Sequence, residues 1–536
     1  MKLSGSEATR GVWQVLGRVM RAEGGATAPT FAILAAAILL SVAVSIEYSR
    51  FITEVWRDQR AVDAAVLAAS VKLGTPNQDS EGEALAQAFY EANRKDSTPS
   101  ALGTITFDNE TGEVTAQTQT TWQATLLNAL NSYFPGIGDD KPISKRATVV
   151  KGGGSVEVAL VLDNSGSMAG THIENLRTAA SNLLQVLFAG AEGTDRVMVG
   201  VVPFAASVNV GAGSADSGWI DTGGAASTHY ENFAESRTRM QLFADMGQTW
   251  RGCVEARAGG HDVTDTPPAS GDTLFVPMFS PDEPGDAGSN ELGYSNSYLN
   301  DDGGSCTPYT RVCTEYSRRG NCRNWEVQRL PNAEAQARTC KYAGQSPNGH
   351  QGPNAQCTTQ AILPLNATRS EVEAAVATMQ ASGNTNIKEG VAWGWRVLSP
   401  GVPFTEGREG DAQHNRKIMV LMTDGENMYN SSSTHNKSVY GAHGFAAKGR
   451  LGTTYSQSAY TNYLNARTRE ACTNAKAAGI TIYTVAFRLE NNPTTQALLR
   501  DCASGPDNVF TASDGAGLVQ SFRSIGRDIS SLRLAG

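Results

Sequence analysis

Oxygen-bearing side chains follow two hydrophobic runs that lie far apart in the chain. The first run, VEVALVL, ends in Asp163, and Ser165 and Ser167 follow it, so one carboxylate and two hydroxyls occupy alternate residues. The second run, KIMVLM, ends just before Asp424, and between the runs Thr385 precedes a segment with helical spacing. Carboxylate and hydroxyl oxygens suit a hard divalent cation. The candidate metal ligands are therefore Asp163, Ser165, Ser167, Thr385 and Asp424.

These runs have the composition of buried parallel strands. Val156 to Leu162 and Lys417 to Met422 are almost wholly apolar, and a segment with helical periodicity follows the first of them. Further strands are predicted at Thr481 to Phe487 and Asn508 to Thr511. In an open α/β sheet, ligands bind beyond the carboxyl ends of the strands. We therefore expect Asp163 and Asp424 to lie at one edge of a single sheet.

The combination of D-x-S-x-S, a loop Thr before a helix and T-D-G after a hydrophobic strand resembles the metal-ion-dependent adhesion site of von Willebrand factor A domains. The resemblance implies a doubly wound, mostly parallel α/β sheet over residues 155–536, with a long insertion at about 210–365. It implies that the five residues bind a divalent cation, Mg²⁺ in preference to Mn²⁺ or Ca²⁺. It also implies that a protein partner supplies an Asp or Glu to the open coordination position, without catalysis.

An uncharged segment near the start of the chain predicts a membrane anchor. Ala28 to Ile46 contains nineteen residues without a charge, close to the ~20 that a spanning helix needs. All eight cysteines follow this segment, which suits an oxidising compartment. We expect residues 1–27 to be cytoplasmic, residues 28–47 to span the membrane and the bulk of the chain to lie outside. A cleaved signal peptide is the alternative.

Residues 48–150 are predicted to form a long helix with a small β-sheet region. Apolar residues recur at helical spacing until the helix stops at Gly74-Thr75-Pro76. They are Val55, Val62, Val66, Ala69 and Leu73. Gly103 to Trp122 then alternates like a hairpin. The apolar stripe of the helix must pack on something, and the hairpin is its expected partner.

The order of these parts is similar to that of TadG-like proteins of bacterial tight-adherence (Flp) pilus systems. The stretches that carry the resemblance are GGATAPTFAIL, IEYSRF, VLAAS, WRGCVE, TNIKEGVAWGWRVLSP, LMTDGEN and SIGRDISSLRL. The resemblance implies a single-pass protein of the inner membrane that takes part in pilus assembly or surface attachment. Its partners would be other pilus or envelope proteins. A free-standing surface adhesin that binds host or matrix ligands is the alternative.

The expected insertion carries six of the eight cysteines and an uneven distribution of charge. Ala258 to Thr310 contains no Lys or Arg but several acidic residues, which predicts a solvated polar loop or a calcium site. We expect Cys472 to pair with Cys502, because they flank a predicted strand. We also expect Cys253 to pair with Cys357 near the base of the insertion. The sequence leaves open how Cys306, Cys313, Cys322 and Cys340 pair.

Two other classes of function are disfavoured by the sequence. The formal net charge is -9 and no basic run is present, so we expect no nucleic-acid partner. A subtilase-like serine hydrolase is a minor alternative, because the residues around Asp163 and His443 faintly resemble its Asp and His boxes. The Ser-containing stretch at 165–169 precedes His443, which is the wrong order for that class. We therefore expect no enzyme.

Overall fold

A computed structural model describes residues 27–73, 77–94, 100–108, 112–128, 131, 139–150, 155–189, 191, 194–290, 292–348, 351–410 and 415–535. The chain divides into two compact units, Met1–Gly153 and Gly154–Gly536. The expected cytoplasmic segment, except its last residue, the expected helix stop at 74–76 and most of the turn at 109–112 lie outside the described residues.

The first unit combines two helices with a small antiparallel sheet. Its helices are α1 (Thr27–Ser70) and α2 (Gln78–Asn93), and its strands are β1 (Ser100–Asp108), β2 (Glu113–Trp122) and β3 (Lys141–Val150), in the order β1-β2-β3. The predicted apolar helix is present, since Phe31–Ser70 is long and apolar enough to cross a membrane by length and composition. The predicted hairpin is also present and pairs Phe107 with Val114.

The continuation of α1 buries one stripe of side chains in the first unit. Ala61, Val62, Ala65 and Val66 are fully buried and pack with residues of α2 and the sheet. Asp58, also fully buried, ties these elements together through five hydrogen bonds, two of them long ones from Ser100 Oγ and Thr120 Oγ1. The three shorter bonds come from Tyr90 Oη (3.0 Å), Arg94 Nη1 (2.9 Å) and Thr118 Oγ1 (2.6 Å). This carboxylate therefore links the helix pair to β2.

The second unit is built on one mixed sheet. Five strands run parallel in the order β13-β12-β11-β4-β5, β10 pairs antiparallel with β5, and β6 and β7 extend the sheet beyond β5. The strands of this sheet are β4 (Ser155–Asp163), β5 (Val197–Phe204), β6 (Val208–Asn209), β7 (Cys253–Val254), β10 (Leu363–Asn366), β11 (Asn415–Thr423), β12 (Thr481–Phe487) and β13 (Val509–Ala512), and β8 (Thr310–Tyr316) and β9 (Cys322–Gln328) lie outside it. The expected mixed α/β class is confirmed.

Helices cover both faces of this sheet. The helices of the second unit are α3 (Thr171–Leu187), α4 (Arg239–Asp245), α5 (Asn332–Ala337), α6 (Arg369–Ala377), α7 (Ile387–Leu398), α8 (Gln457–Ala477), α9 (Pro493–Cys502) and α10 (Gly515–Ala535). Alternate β4 residues enter different cores: Leu160 packs in the core that includes α3, α6 and α10, and Val161 in the core that includes α7, α8 and α9. Both faces of β4 are thus buried, which explains its continuous apolar run.

Helix α7 lies unusually close to the sheet. A side-chain Cβ at Gly394 would lie 2.4 Å from Val161 Cγ2, and one at Gly390 would lie 2.7 Å from Phe204 Cδ1. Only glycine permits this approach. The close packing fixes the start of α7, and with it the preceding loop that carries Thr385.

The stretch between β6 and β10 belongs to the same core as the sheet. Trp219 and Phe275 share a cluster with α7, and the Phe275 ring centroid lies 4.7 Å from that of Trp393. Outside this core, β8 and β9 form a separate antiparallel hairpin whose side chains are mostly exposed. Much of this stretch therefore packs into the core of the sheet, and the β8–β9 hairpin lies outside that core.

The acidic residues of this stretch are not all solvated, contrary to expectation. Asp282 is fully buried, with Oδ2 2.7 Å from Lys341 Nζ, and it accepts backbone hydrogen bonds from Tyr298 and Leu299. Glu283 is also buried and accepts from Asn296 N. The solvated-loop prediction is therefore wrong at these positions, because the carboxylates organise the fold of the stretch from within.

Candidate metal centre

Asp163 ends β4 and is held from both sides. The backbone N–H of Ser165 donates to Asp163 Oδ1 at 2.8 Å, and Thr423 Oγ1 donates to Oδ2 at 2.6 Å. The side chain is fully buried. Thr423 ends β11, the neighbour of β4, so the parallel pairing itself brings this hydroxyl to the carboxylate.

The two serines lie on the turn that follows β4. Ser165 Oγ lies 3.0 Å from Ser167 Oγ, and Ser167 Oγ donates to Asp424 Oδ1 at 2.6 Å. A short 3₁₀ turn over Gly166–Met168 produces this spacing. The Gly166 N–H donates to Gly383 O at 2.8 Å, which connects the turn to the loop of the third hydroxyl.

Thr385 approaches the same point from the loop before α7. A Cβ at Gly425 would lie 3.3 Å from Thr385 Oγ1 and 3.7 Å from Ser167 Oγ, so both hydroxyls border the space beside Gly425. The loop is fixed because Met428 N–H donates to Thr385 O at 2.8 Å and Asn386 N–H donates to Ala205 O at 2.9 Å. The structure thus brings all five expected residues together.

Both carboxylates of this cluster have a raised pKa. Burial raises the pKa of Asp163 to about 6, and the nearby charge of Asp424 adds to the effect. Burial also raises the pKa of Asp424. A bound cation would favour the ionised form of both groups. With two carboxylates and three hydroxyls, the donor set fits a hard divalent cation.

Among the described residues, the usual metal-ligand types form no other such cluster. Within the described ranges, no group of three or more His, Cys, Asp or Glu side chains has an arrangement that could hold a metal ion. The acidic residues of the 258–310 stretch thus form no such group among those described, and Asp282 is already engaged by Lys341. The alternative of a calcium site in that stretch finds no support in these contacts.

Three residues near the centre make contacts that the sequence does not predict. Thr423 belongs to the T-D-G motif, but its hydrogen bond to Asp163 follows only from the pairing of β11 with β4. His172 Nδ1 lies 3.1 Å from Ser167 O, and the guanidinium of Arg488 contacts the His172 ring. Arg488 has a left-handed backbone with φ of 55°. No local signal marks Arg488, because it reaches the site only through the fold.

The hydrolase alternative requires His443 to act as a base beside Ser165. Both His443 ring nitrogens lack a hydrogen-bond partner among the residues that the structure describes. Asp163 instead accepts hydrogen bonds from Ser165 N and Thr423 Oγ1. The structure therefore does not connect His443 to Ser165 or Asp163 by hydrogen bonds, as a triad would need.

Four disulfides join all eight cysteines. The structure joins Cys253 to Cys357 and Cys472 to Cys502, the two pairs that the sequence analysis expects. The pairing that the sequence left open is Cys306 to Cys340 and Cys313 to Cys322. Cys472 lies on α8 and Cys502 on α9, so their bond connects two helices on one face of the sheet.

No family model and no curated protein match the chain. Several solved structures are similar at low identity. The vWF domain of the type V pili tip protein Mfa5 from Porphyromonas gingivalis has 9% identity and a TM-score of 0.32, over 70% of this chain and 96% of that one. The pilus adhesin SpaC from Lactobacillus rhamnosus GG has 13% identity and a TM-score of 0.30, over 81% of this chain but only 34% of its own.

A third match is proximal thread matrix protein 1 from the mussel byssus, described with a zinc-occupied MIDAS motif. It has 10% identity and a TM-score of 0.26, over 72% of this chain and 47% of that one. Scores at this level assign neither fold nor function. The fold type and the function of the chain are therefore inferred from its own geometry and from its sequence motifs.

Proposed function

We propose that residues 155–536 form a domain of the von Willebrand factor A type, with a doubly wound sheet, whose metal centre mediates adhesion. Asp163, Ser165, Ser167, Thr385 and Asp424 would hold a divalent cation, with Mg²⁺ favoured over Mn²⁺ and Ca²⁺. The observation that carries the proposal is the convergence of these five side chains from two strand ends and one loop. The cation would offer an open position to the carboxylate of a partner protein.

Each residue has a distinct part in this proposal. Asp163 and Asp424 supply the negative charge, and the hydroxyls of Ser165, Ser167 and Thr385 supply neutral oxygens. Thr423 orients Asp163 by occupying its Oδ2. With few charged ligands from the chain itself, the bound ion would retain attraction for an incoming Asp or Glu side chain. The proposal assigns no catalytic reaction to the site.

We place this domain outside the cytoplasm, on a single-pass anchor in the inner membrane. The apolar segment of α1 and the cysteines that follow it, all of which are disulfide-bonded, support this placement. The resemblance to TadG-like proteins supports a role in tight-adherence pilus assembly, with other pilus or envelope proteins as partners. A free-standing adhesin that binds host or matrix ligands would use the same metal-bridged contact.

Calorimetric titration of Mg²⁺ and Mn²⁺ into the purified full chain in detergent tests the metal centre. We expect one ion per chain, and Asp163→Ala should weaken binding at least tenfold because it removes a charged ligand. Asp507→Ala removes an exposed carboxylate elsewhere in the same unit and serves as the matched control. Equal affinity in the wild type and Asp163→Ala would overturn the metal assignment.

Deletion of the gene followed by complementation separates the two cellular roles. Cells would receive the wild type, Asp163→Ala or Asp507→Ala, and filaments and surface attachment would be scored separately. Loss of filaments with Asp163→Ala supports pilus assembly through the metal centre. Normal filaments with lost attachment favour the adhesin, and full function of Asp163→Ala would exclude a metal-bridged contact from both roles.

A further inference from the structure

A cavity of about 300 Å³ lies in the second unit, away from the five metal-centre residues. Its lining is dominated by ionisable side chains, and the backbone of Gly259 and Gly260 completes it. The ionisable lining residues are Arg257, Asp262, His443, Arg450, Tyr463 and Arg467. Three guanidinium groups against one carboxylate is an unusual lining for a protein that is acidic overall.

His443 is the least satisfied polar group of this cavity. Its side chain is nearly inaccessible, with the residue 3% exposed, and both ring nitrogens lack a hydrogen-bond partner among the described residues. The rings of Tyr429 and Tyr463 contact it edge-on, with centroids 6.1 and 6.4 Å away. A buried polar group normally has a hydrogen-bond partner. Since His443 lines the cavity, a ligand there could supply one.

Arg257 lines the cavity, and neither Arg257 nor its neighbour Arg396, which lies outside the lining, has an ion-paired carboxylate among the described residues. Within the described part of the chain, no carboxylate oxygen lies within 4.0 Å of the guanidinium of Arg257 or Arg396. Both guanidiniums lie over the Phe275 ring, 4.6 and 5.2 Å from its centroid. Both also donate to Thr264 O. Burial and the neighbouring charge of Arg396 lower the pKa of Arg257 to about 8, and Glu389, Asp262 and Asp265 only partly offset this.

The carboxylates near the cavity are already engaged. Asp262 pairs with both Lys388, at 3.4 Å, and Arg467. Lys388 also contacts Glu389. Arg450 pairs with Glu255 Oε2 at 2.5 Å and with Glu231 Oε1 at 3.2 Å. These pairs hold Arg450 and Arg467 in place at the lining, whereas Arg257 has no direct ion pair among the described residues and feels Glu389, Asp262 and Asp265 only from a distance.

We propose that this cavity binds a small organic anion, through a carboxylate or phosphate group. His443 and the Tyr463 hydroxyl would donate hydrogen bonds to the anion, and Arg257, Arg450 and Arg467 would supply the attractive field. A volume of about 300 Å³ lies at the small end of the range for small-molecule sites. The site is independent of the metal centre, because none of the metal-centre residues lines it.

Calorimetric titration of inorganic phosphate and of succinate into the full chain tests the proposal. The protein would be in detergent with EDTA, and chloride would keep the ionic strength constant. We expect saturable binding of at least one probe at a single site. Which probe binds more tightly distinguishes a phosphate ligand from a carboxylate ligand. Absence of binding by both probes would overturn the proposal.

Variants then locate the bound anion. Arg257→Gln and His443→Phe should each weaken binding at least tenfold, and Tyr463→Phe should weaken it several-fold. Tyr463→Phe removes only one hydroxyl and keeps the proposal testable if the other two variants fail to fold. Arg500→Gln, an exposed arginine on α9, and Asp163→Ala at the metal centre should both bind as the wild type. Unchanged affinity in Tyr463→Phe together with unchanged affinity in every folded cavity variant would place the anion elsewhere and overturn the proposal.

Discussion

At the scale of single residues, the candidate metal centre depends on a hydroxyl that is not itself a proposed ligand. Thr423 Oγ1 occupies Asp163 Oδ2, while the N–H of Ser165 occupies Oδ1. Together these two donors determine the direction in which the carboxylate lone pairs remain available. Partners of this kind commonly change metal affinity 10- to 100-fold when they are removed.

Thr423→Val should therefore weaken Mg²⁺ binding about tenfold. Valine has nearly the shape of threonine, so the fold should persist, but Asp163 loses its orienting donor. Thr484→Val is the matched control, because Thr484 is also a buried strand threonine and its hydroxyl has no partner among the described residues. Calorimetry on both variants checks the prediction, and equal loss in the two would contradict it.

His443 predicts a pH dependence of stability. Burial, together with the positive charges of Lys388, Arg450 and Arg467, lowers its pKa well below the ordinary value, and Asp262 only partly offsets this. The folded state therefore resists protonation that the unfolded chain accepts below pH ~6.5. The contribution of His443 to the free energy of unfolding is therefore fully present above pH ~6.5 and is lost as the pH falls below it.

The wild type should therefore lose stability between pH 7 and pH 5 relative to a variant without this imidazole. Urea unfolding in chloride buffer measures this loss as the change in the stability difference between the wild type and His443→Phe. Comparing the two proteins cancels the contributions of other titrating groups. A stability difference that does not change with pH would show that His443 titrates normally in the folded protein.

At the scale of elements, the Cys472–Cys502 disulfide joins α8 to α9 beside the parallel strands. It closes a chain segment with a sequence separation of 30 residues. In the chain-entropy model such a loop contributes about 3 to 4 kcal/mol to stability. By contrast, the Cys313–Cys322 bond lies within the exposed hairpin of β8 and β9.

The double substitution Cys472→Ala, Cys502→Ala should therefore lower the unfolding free energy of the second unit by about 3 to 4 kcal/mol. The double substitution Cys313→Ala, Cys322→Ala should leave the main unfolding transition unchanged, because the hairpin lies outside the core. Denaturant unfolding monitored by tryptophan fluorescence compares the two. A larger effect of the hairpin pair would show that the hairpin contributes to the fold of the unit.

Among these elements, the sequence could predict the strands and the site motifs but not the contacts between distant residues. The apolar runs of β4 and β11 and the motifs after them indicated both the strands and the five side chains, because burial and turn chemistry are local signals. The hydrogen bond from Thr423 to Asp163, the contact of Arg488 with His172 and the Lys341–Asp282 pair were not predictable in this way. They join residues that only the tertiary fold brings together. For this reason the acidic composition around Asp282 led to the wrong prediction that this residue is solvated.

At the scale of the whole molecule, the proposed topology places everything after the apolar segment outside the cytoplasm. Protease added to spheroplasts should therefore digest the chain beyond about Arg50, while a cytoplasmic marker protein stays intact. The disulfides should also form in cells, so non-reducing peptide mapping should recover Cys472 joined to Cys502. Protection of the second unit from protease would reverse the topology.

Helix α1 also has a mechanical consequence for the proposed anchored protein. Its 44 residues correspond to about 66 Å of unbroken helix, roughly twice the hydrocarbon thickness of a bilayer. Asp58 ties the outer half to α2 and β2, and no joint interrupts the helix before that point. A change in the tilt of the helix within the membrane would therefore also tilt the folded part of the first unit. A pulling force on that part would in turn be transmitted along the continuous helix to the bilayer.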